Sequence, residues 1–325
     1  MNKLKTIQTP QPLDIQEEPL EVSSSSVHEH EDLQLIDLLS NSRTPIFLGF
    51  SRKHQTKVAV KMFKHVYDQP SKAYLNEVRF SNLCHPNVIK ILGSEDSIPA
   101  VLQDKLYNVS YLVMELALCD LTDLITEINS RQDEKLVRTL FHQLIDGLEY
   151  LHSQDIAHLD IKMDNLLFGQ DFELKITDFD FSYKKGDVCS IGRGTSGYRA
   201  PEIANKKCKK PKLADLYSAG IILFVLRFGH LPYYEATPVL GYHLQELMFG
   251  DHEAFWKAHQ VIKNSPMECS EEFKQLFFGL VNEDPEKRMT FNEIRRNPWF
   301  DGPTYRKQEM TIIFSNIFME KELGN

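Results

Sequence analysis

The chain has 325 residues, 42% of them hydrophobic, enough for one large domain or about two folding units with a sizeable core. A formal net charge of −9 argues against a general nucleic-acid binder, which needs a basic face to displace counterions. Five scattered cysteines with no C-x-x-C pair argue against a disulfide framework or a zinc site and for a reducing compartment, cytoplasmic or nuclear.

Residues 1–32 carry Pro10, Pro12, Pro19, the serine run 23–26 and seven acids from Asp14 to Asp32, a composition expected of a disordered acidic tail. The reading is a solvated leader; a stretch bearing regulatory phosphosites is the sharper alternative. No apolar signal core follows Met1, and Asn2 stands where the myristoylation pattern needs glycine. Order is expected from about Leu33. Residues 45–50 and 56–63 read as strands, the second as Val58-Ala59-Val60-Lys61-Met62-Phe63. A helix is expected over 73–83, closed by His85-Pro86 because the residue before proline disfavours helix. Strand-like runs follow at 88–92 and 111–115. From there the pattern turns helical: Val137, Leu140, Leu144, Leu148 and Leu151 recur at three- and four-residue spacing on one face. The apolar run 219–226 is too short to cross a bilayer, so no membrane partner is expected. Near the end, Met310 to Leu323 carries Ile312, Ile313, Phe314, Ile317 and Phe318. It reads as an amphipathic helix docked on the larger part, or as a target for a calmodulin-like regulatory partner.

The densest chemical signal is His158-Leu159-Asp160-Ile161-Lys162-Met163-Asp164-Asn165. Asp178-Phe179-Asp180 begins thirteen residues after Asn165, and Gly197-Tyr198-Arg199-Ala200-Pro201-Glu202 begins seventeen after Asp180. Phosphoryl transfer has a loose, highly charged transition state, so a protein mainly positions groups and neutralises charge. Magnesium needs hard oxygen ligands, and an attacking hydroxyl needs an acceptor to orient it. An Asp, a Lys and an Asn within six residues, followed by a second Asp on a turn, supply those roles together.

This succession resembles the catalytic loop, magnesium loop and A-P-E segment of the eukaryotic protein kinases, serine/threonine type, with a lean toward the calcium/calmodulin-dependent group. The resemblance covers about residues 33–301. It implies an α+β, two-lobed fold: a small β-sheet lobe with one helix (33–115) and a large, mainly helical lobe (116–301), followed by the extension 302–325. It implies ATP and Mg2+ as cofactors and proteins as substrates. Asp160 would face the substrate hydroxyl and Lys162 the transferring phosphate. Asn165 and Asp178 would hold magnesium, and Thr195 would bond back to Asp160 and favour serine or threonine acceptors. Lys61 would grip the α- and β-phosphates and pair with Glu77. Met114 would be the gatekeeper, Glu115 and Ala117 would present backbone to adenine, and Asp120 would reach the ribose. Leu39, Ser40, Ser42, Phe47, Ala59 and Leu167 would line the nucleotide. Asp215 would anchor the catalytic loop, and Arg288 would form a buried salt bridge with Glu202.

Several positions depart from the family pattern. Aligned over 39–47, Ser40, Ser42 and Pro45 stand where three glycines belong, and Pro45 offers no N–H to a phosphate, so weaker ATP binding is expected. Leu159 replaces the arginine that pairs with an activation-loop phosphate, which makes activation by phosphorylation at Ser190 or a neighbour less expected. Asp180 replaces glycine and adds a charge near the metal. Glu77 lies nine residues before Pro86 where ten is common, so an ungapped alignment would select Asn76; Glu77 is preferred because a buried Lys61 without a carboxylate is costly. The basic run Lys206–Lys212 reads as a solvated loop, or as a nuclear-import signal. His158 is expected to pack beneath Phe179. The function expected is ATP-dependent serine/threonine phosphorylation. The rival is a pseudokinase scaffold, and a small-molecule or lipid kinase is disfavoured by Thr195 and the A-P-E segment.

Overall fold

A computed structural model describes residues 32–102, 105–128, 133–187, 194–205, 208–233, 238–263 and 268–324. The tail expected over 1–32, apart from its last residue, lies outside these, as do Ser190, Lys206 and Lys207.

The chain builds two parts. The first is a five-stranded antiparallel sheet of β1 (Leu33–Ser40), β2 (Ile46–Ser51), β3 (Thr56–Lys64), β4 (Ile91–Leu102) and β5 (Lys105–Glu115), with strand order β1-β2-β3-β5-β4. One helix, α1 (Lys72–Val78), crosses it. Ser71 starts α1 by accepting a bond from the Tyr74 N–H through its side chain. Helix was expected to run to residue 83, but the chain continues in turns, with Phe80 N bonded to Glu77 O and Leu83 N to Phe80 O.

The β4–β5 hairpin is much longer than the short runs expected at 88–92 and 111–115. The segment 94–99, with its acids, serines and Pro99, lies between those two runs. It forms strand because β4 is a sheet edge, where proline and bulges cost little. The register slips between Ile91 and Gly93 and again between Glu95 and Ile98.

The second part begins with β6 (Ala117–Asp120), α2 (Leu121–Ile128) and α3 (Glu134–Ser153). Short strands β7 (Ile156–Ala157), β8 (Leu166–Gly169), β9 (Leu174–Ile176) and β10 (Tyr183–Lys184) surround the catalytic segment. Helices α4 (Pro201–Ala204), α5 (Pro211–Phe228), α6 (Pro238–Gly250), α7 (His252–Lys263), α8 (Glu271–Leu280), α9 (Phe291–Arg296) and α10 (Lys307–Gly324) follow. The expected periodicity of α3 is the buried one: Val137, Leu140, Leu144, Leu148 and Leu151 all lie in the core. Asp133 caps this helix by accepting from Leu136 N.

α10 lies against β8 and the turn that follows it. Met310 and Phe314, one turn apart, are buried, and the Phe314 ring lies 4.5 Å from that of Phe168. Lys307 pairs with Glu173 at 2.9 Å and Lys135 with Glu309 at 3.0 Å. Of the basic run, Lys212 donates to the His152 carbonyl at the end of α3 and to Asp155, and Lys210 pairs with Glu286. Two of those charges are therefore held by structure.

The helical part is fastened by Arg288. Its guanidinium forms a fork with Glu202, at 2.6 and 2.8 Å, and also donates to the carbonyls of Asn282 and Leu213. The arginine side chain has no exposure at all. Removing one member of such a pair leaves an uncompensated buried charge, so Arg288→Leu should destabilise the fold by about 3–5 kcal/mol in urea unfolding. Glu253→Gln, in the exposed pair with Lys257, should leave the midpoint where it is.

Candidate active site

Alternation along β3 sends Val58, Val60 and Met62 to the outer face of the sheet and Ala59, Lys61 and Phe63 to the side facing the helical part. Lys61 is buried there. Its ammonium contacts Glu77 of α1 and, at 2.7 Å, Asp178 of the loop after β9. Asp178 has φ of 68° and Phe179 is buried between Phe80 and His158, with ring centroids 5.5 and 5.2 Å away. The aromatic ring is thus tucked under α1, which leaves the Asp178 carboxylate facing the cleft, one-third exposed. His158 packs as expected and bonds Thr177 O through Nε2 at 2.9 Å.

The alternatives at 76 and 77 both acquire roles. Glu77 takes the lysine. Asn76, about 100° around the helix, turns its amide to the chain after Asp178, where Nδ2 lies 2.9, 2.7 and 2.9 Å from the carbonyls of Phe179, Asp180 and Ser182.

One ammonium serving two carboxylates sets the electrostatics. Burial alone would lower the Lys61 pKa, but Glu77 and Asp178 outweigh it and raise it. Burial pushes Glu77 up to about 7, because Lys61 compensates only in part and Asp178 adds repulsion. Burial also acts upward on Asp178, but the Lys61 charge prevails and its pKa is lowered.

The catalytic segment hangs from Asp215 on α5, which is wholly buried. Its carboxylate accepts from His158 N, Leu159 N and His152 Nε2, each at 2.8 Å. Leu159 is held at φ of 65° and is buried, where the family pattern has an arginine that pairs with a loop phosphate. A side chain at Gly194, φ +98°, would place its Cβ 2.9 Å from Leu159 O, so only glycine permits this approach. The next residue, Thr195, donates to Asp160 Oδ1 at 2.8 Å. On the other oxygen, Asp160 meets Asn165 Nδ2 at 3.0 Å and Lys162 Nζ at 3.4 Å. Asn165 N–H bonds Lys162 O and its carbonyl accepts from Thr177 N, which ties the loop to the strand leading into Asp178.

Asn165 and Asp178 fit a divalent ion. The Asn165 amide nitrogen is committed to Asp160, which makes its oxygen the remaining ligating group, and Asp178 adds a carboxylate kept ionised by Lys61. Two hard oxygens with phosphate and water are what magnesium takes.

The wall of the cleft corrects one expected residue. In the sheet register Ala59 pairs with Leu48 and with Met114, while Phe47 pairs with Val60 and is buried in the outer-face cluster with Val58 and Met62. Leu48, not Phe47, therefore stands beside Ala59 on the cleft side, and the alignment over 39–47 is one residue short. With a side-chain period of two, that single step exchanges the faces. Leu39 is about half exposed at the end of β1, and Ser42 bonds Thr44 O within the turn. Pro45 continues the ladder by accepting from Met62 N. Arg43 extends from this turn to within 3.9 Å of Asp180.

At the hinge, Met114 is buried, Glu115 N–H is already bonded to Lys90 O, and Ala117 opens β6. Asp120 pairs with Leu167 across β6 and β8, and its carboxylate accepts from Asp123 N at the start of α2. Burial raises its pKa. The buried Lys175, not singled out from sequence, lies 3.6 Å from Glu115 and bonds Asp171 and Pro86 O, joining hinge to β9. A lone lysine in a strand carries no local signal of this.

A pH dependence follows from Glu77. Its folded value, about 7, is above its ordinary 4.5, so between those values the folded state binds the extra proton. Stability from this group is full below 4.5 and is lost as pH rises through 7. In nucleotide-free protein, wild type should therefore lose about 2–4 °C of melting temperature relative to Glu77→Gln between pH 6 and pH 8. Parallel curves would show that Glu77 is ionised throughout.

Residues 42–300 match the family described as protein kinase domain. Serine/threonine-protein kinase SIK2 of Gallus gallus is 29% identical over 285 residues, covering 86% of this chain and 33% of its own. The SNF1-like protein kinase ssp2 of Schizosaccharomyces pombe is 30% identical over 256 residues, 77% of this chain and 40% of that one. Serine/threonine-protein kinase stk11 of Xenopus laevis is 32% identical over 225 residues, 67% and 48% respectively. The chain thus spans between a third and a half of the length of these curated relatives. With the match covering most of its length, and with Asp160, Thr195, Asn165, Lys61 and Asp178 gathered at one cleft, the chain belongs to the protein kinase domain family.

Proposed function

We propose that this chain transfers the γ-phosphoryl group of ATP to serine or threonine hydroxyls of proteins. The observation that carries this is the surrounding of Asp160: Thr195 on one carboxylate oxygen, with Asn165 and Lys162 on the other. Oδ1, with one donor, keeps lone-pair capacity for a second, the incoming hydroxyl.

In this reading ATP and magnesium, when bound, supply the phosphoryl group and a counter-charge for it. Lys61 gives its ammonium to the phosphates, and Asp178 and Asn165 hold the divalent ion through oxygen. Asp160 orients the hydroxyl so that its oxygen forms the new bond to the γ-phosphorus as the bond to the ADP oxygen breaks, and it accepts the departing proton. Lys162 offsets the charge on the phosphoryl oxygens. Leu48, Ala59, Met114, Leu167 and the hinge backbone from Glu115 to Ala117 enclose the base. Asp120, although it caps α2, lies at the hinge end where a ribose would sit. The glycine-free turn between β1 and β2, from Asn41 to Pro45, would stand over the phosphates. Among the described residues no helix is long and apolar enough to cross a membrane. A regulatory partner at residues 302–325 is supported by Ile312, exposed on α10 between the buried Met310 and Phe314.

Two measurements test the proposal. Phosphate incorporation into a mixed peptide library should fall about 10²–10⁴-fold in Asp160→Asn; equal signals from both proteins would defeat the enzyme reading. Magnesium–ATP at a hundredfold excess over its dissociation constant should add about 2.7 kcal/mol of stability. No thermal shift at millimolar nucleotide would favour a scaffold without phosphotransfer.

A further inference from the structure

Helix α1 reaches the magnesium loop through two adjacent side chains, and only Glu77 is explained by the lysine pair. Asn76 has two amide hydrogens and faces three carbonyls, those of Phe179, Asp180 and Ser182, so at least one hydrogen is shared. These acceptors lie 103 to 106 positions away along the chain. Which way the amide points is fixed from behind. Arg79, one turn on, can only donate, and its Nη1 lies 3.2 Å from Asn76 Oδ1, so Nδ2 must face the loop.

The same guanidinium extends Nη2 to Asp187 Oδ2 at 2.8 Å, and that oxygen also accepts from Lys184 N. Just upstream, Ser182 bonds His158 O, and β10 pairs with β7 beside the catalytic segment. A chain of contacts therefore runs from Asp187 through Arg79 and Asn76 to the turn that begins at Asp178. It runs beside the position where Leu159, buried and apolar, has replaced a family cation able to hold a loop phosphate. Its anion is a carboxylate encoded in the sequence, present without modification.

We propose that Asn76 is a positioning residue for the magnesium loop, oriented by Arg79 and Asp187, and that this clamp keeps α1 and the loop in the transfer-competent arrangement without phosphorylation of the activation segment. The effect on rate rests on the kinase reading; the effect on loop order does not, and the test separates the two.

The full-length chain is compared with Asn76→Asp, which keeps the size of the side chain and a partner for Arg79 but aims an acceptor at three carbonyls. Amide hydrogen exchange across 178–187 should speed up by about tenfold or more. The turnover number should fall about 10- to 100-fold, as for a displaced catalytic group, with peptide KM little changed. Phosphatase treatment of wild type should leave its rate within about twofold, a factor small beside the catalytic losses expected of a disordered site. As a second line should Asn76→Asp fail to fold, Arg79→Ala and Asp187→Ala should each slow turnover, and the double variant should be no slower than the worse single one. Wild-type exchange and turnover in Asn76→Asp, additive losses in the pair, or loss of activity on phosphatase treatment would each overturn the proposal. Should wild type show no phosphotransfer at all, the exchange measurement still decides: faster exchange in Asn76→Asp upholds the clamp, and unchanged exchange removes it.

Discussion

The ammonium of Lys61 is shared by two carboxylates that come from different elements, and the rest of the site depends on that sharing. Glu77 arrives on α1 and Asp178 on the loop after β9, so one buried cation joins the sheet, its helix and the helical part of the chain. Burying the Lys61–Glu77 pair is expensive, and the arrangement persists because each group has a partner at hydrogen-bond distance. The excess negative charge does not fall evenly. Asp178, partly exposed and closer to the cleft, stays ionised, while Glu77, fully enclosed, carries the cost as a raised pKa. The loop facing the cleft is thereby kept anionic, and the helix behind it carries the protonation equilibrium.

The helical part solves a similar problem with a single anion. Asp215 is buried and accepts from two successive backbone N–H groups and a histidine. Those bonds hold Leu159 in a left-handed conformation that a leucine would not adopt unaided. This bend presents Asp160 to Thr195 on one side and to Asn165 and Lys162 on the other. Gly194 is required because the activation segment passes directly over the Leu159 carbonyl. Strain at this segment is thus held by an anchor that is itself wholly buried.

Apart from Leu159, two departures from the family pattern, the β1–β2 turn and Asp180, lie close together. The β1–β2 turn uses Ser42 for an internal bond and Pro45 for a ladder contact, which makes it a defined turn without glycine. Arg43 projects from that turn toward Asp180, the carboxylate added after Phe179. The pair is long and its arginine well exposed, so its contribution to stability is small. It does place a cation within reach of the added Asp180 charge. The loss of glycine and the gain of a carboxylate are therefore spatial neighbours, although Arg43 and Asp180 are 137 positions apart in sequence, which is the kind of pairing that tertiary contact alone creates.

Read alone, the order of residues determined which chemical groups this protein has and roughly where each sits on a strand, helix or turn. The catalytic segment, the Asp178 turn and the α3 stripe are legible because their signals are local: short spacings, a helical period, residue types with few alternative uses; the Glu202–Arg288 pair, 86 residues apart, was implied only by the family resemblance. Three things were decided only by the tertiary structure. The face of β2 that lines the cleft turned on a one-residue register, which strand alternation amplifies into a choice between Phe47 and Leu48. The strand nature of 94–99 turned on its place at a sheet edge, where a proline is tolerated. The division of labour between Asn76 and Glu77 turned on which side of α1 faces which element. Adjacent residues on a helix point about 100° apart, and their partners lie far away in the chain, so spacing could nominate both but could not tell that both were needed.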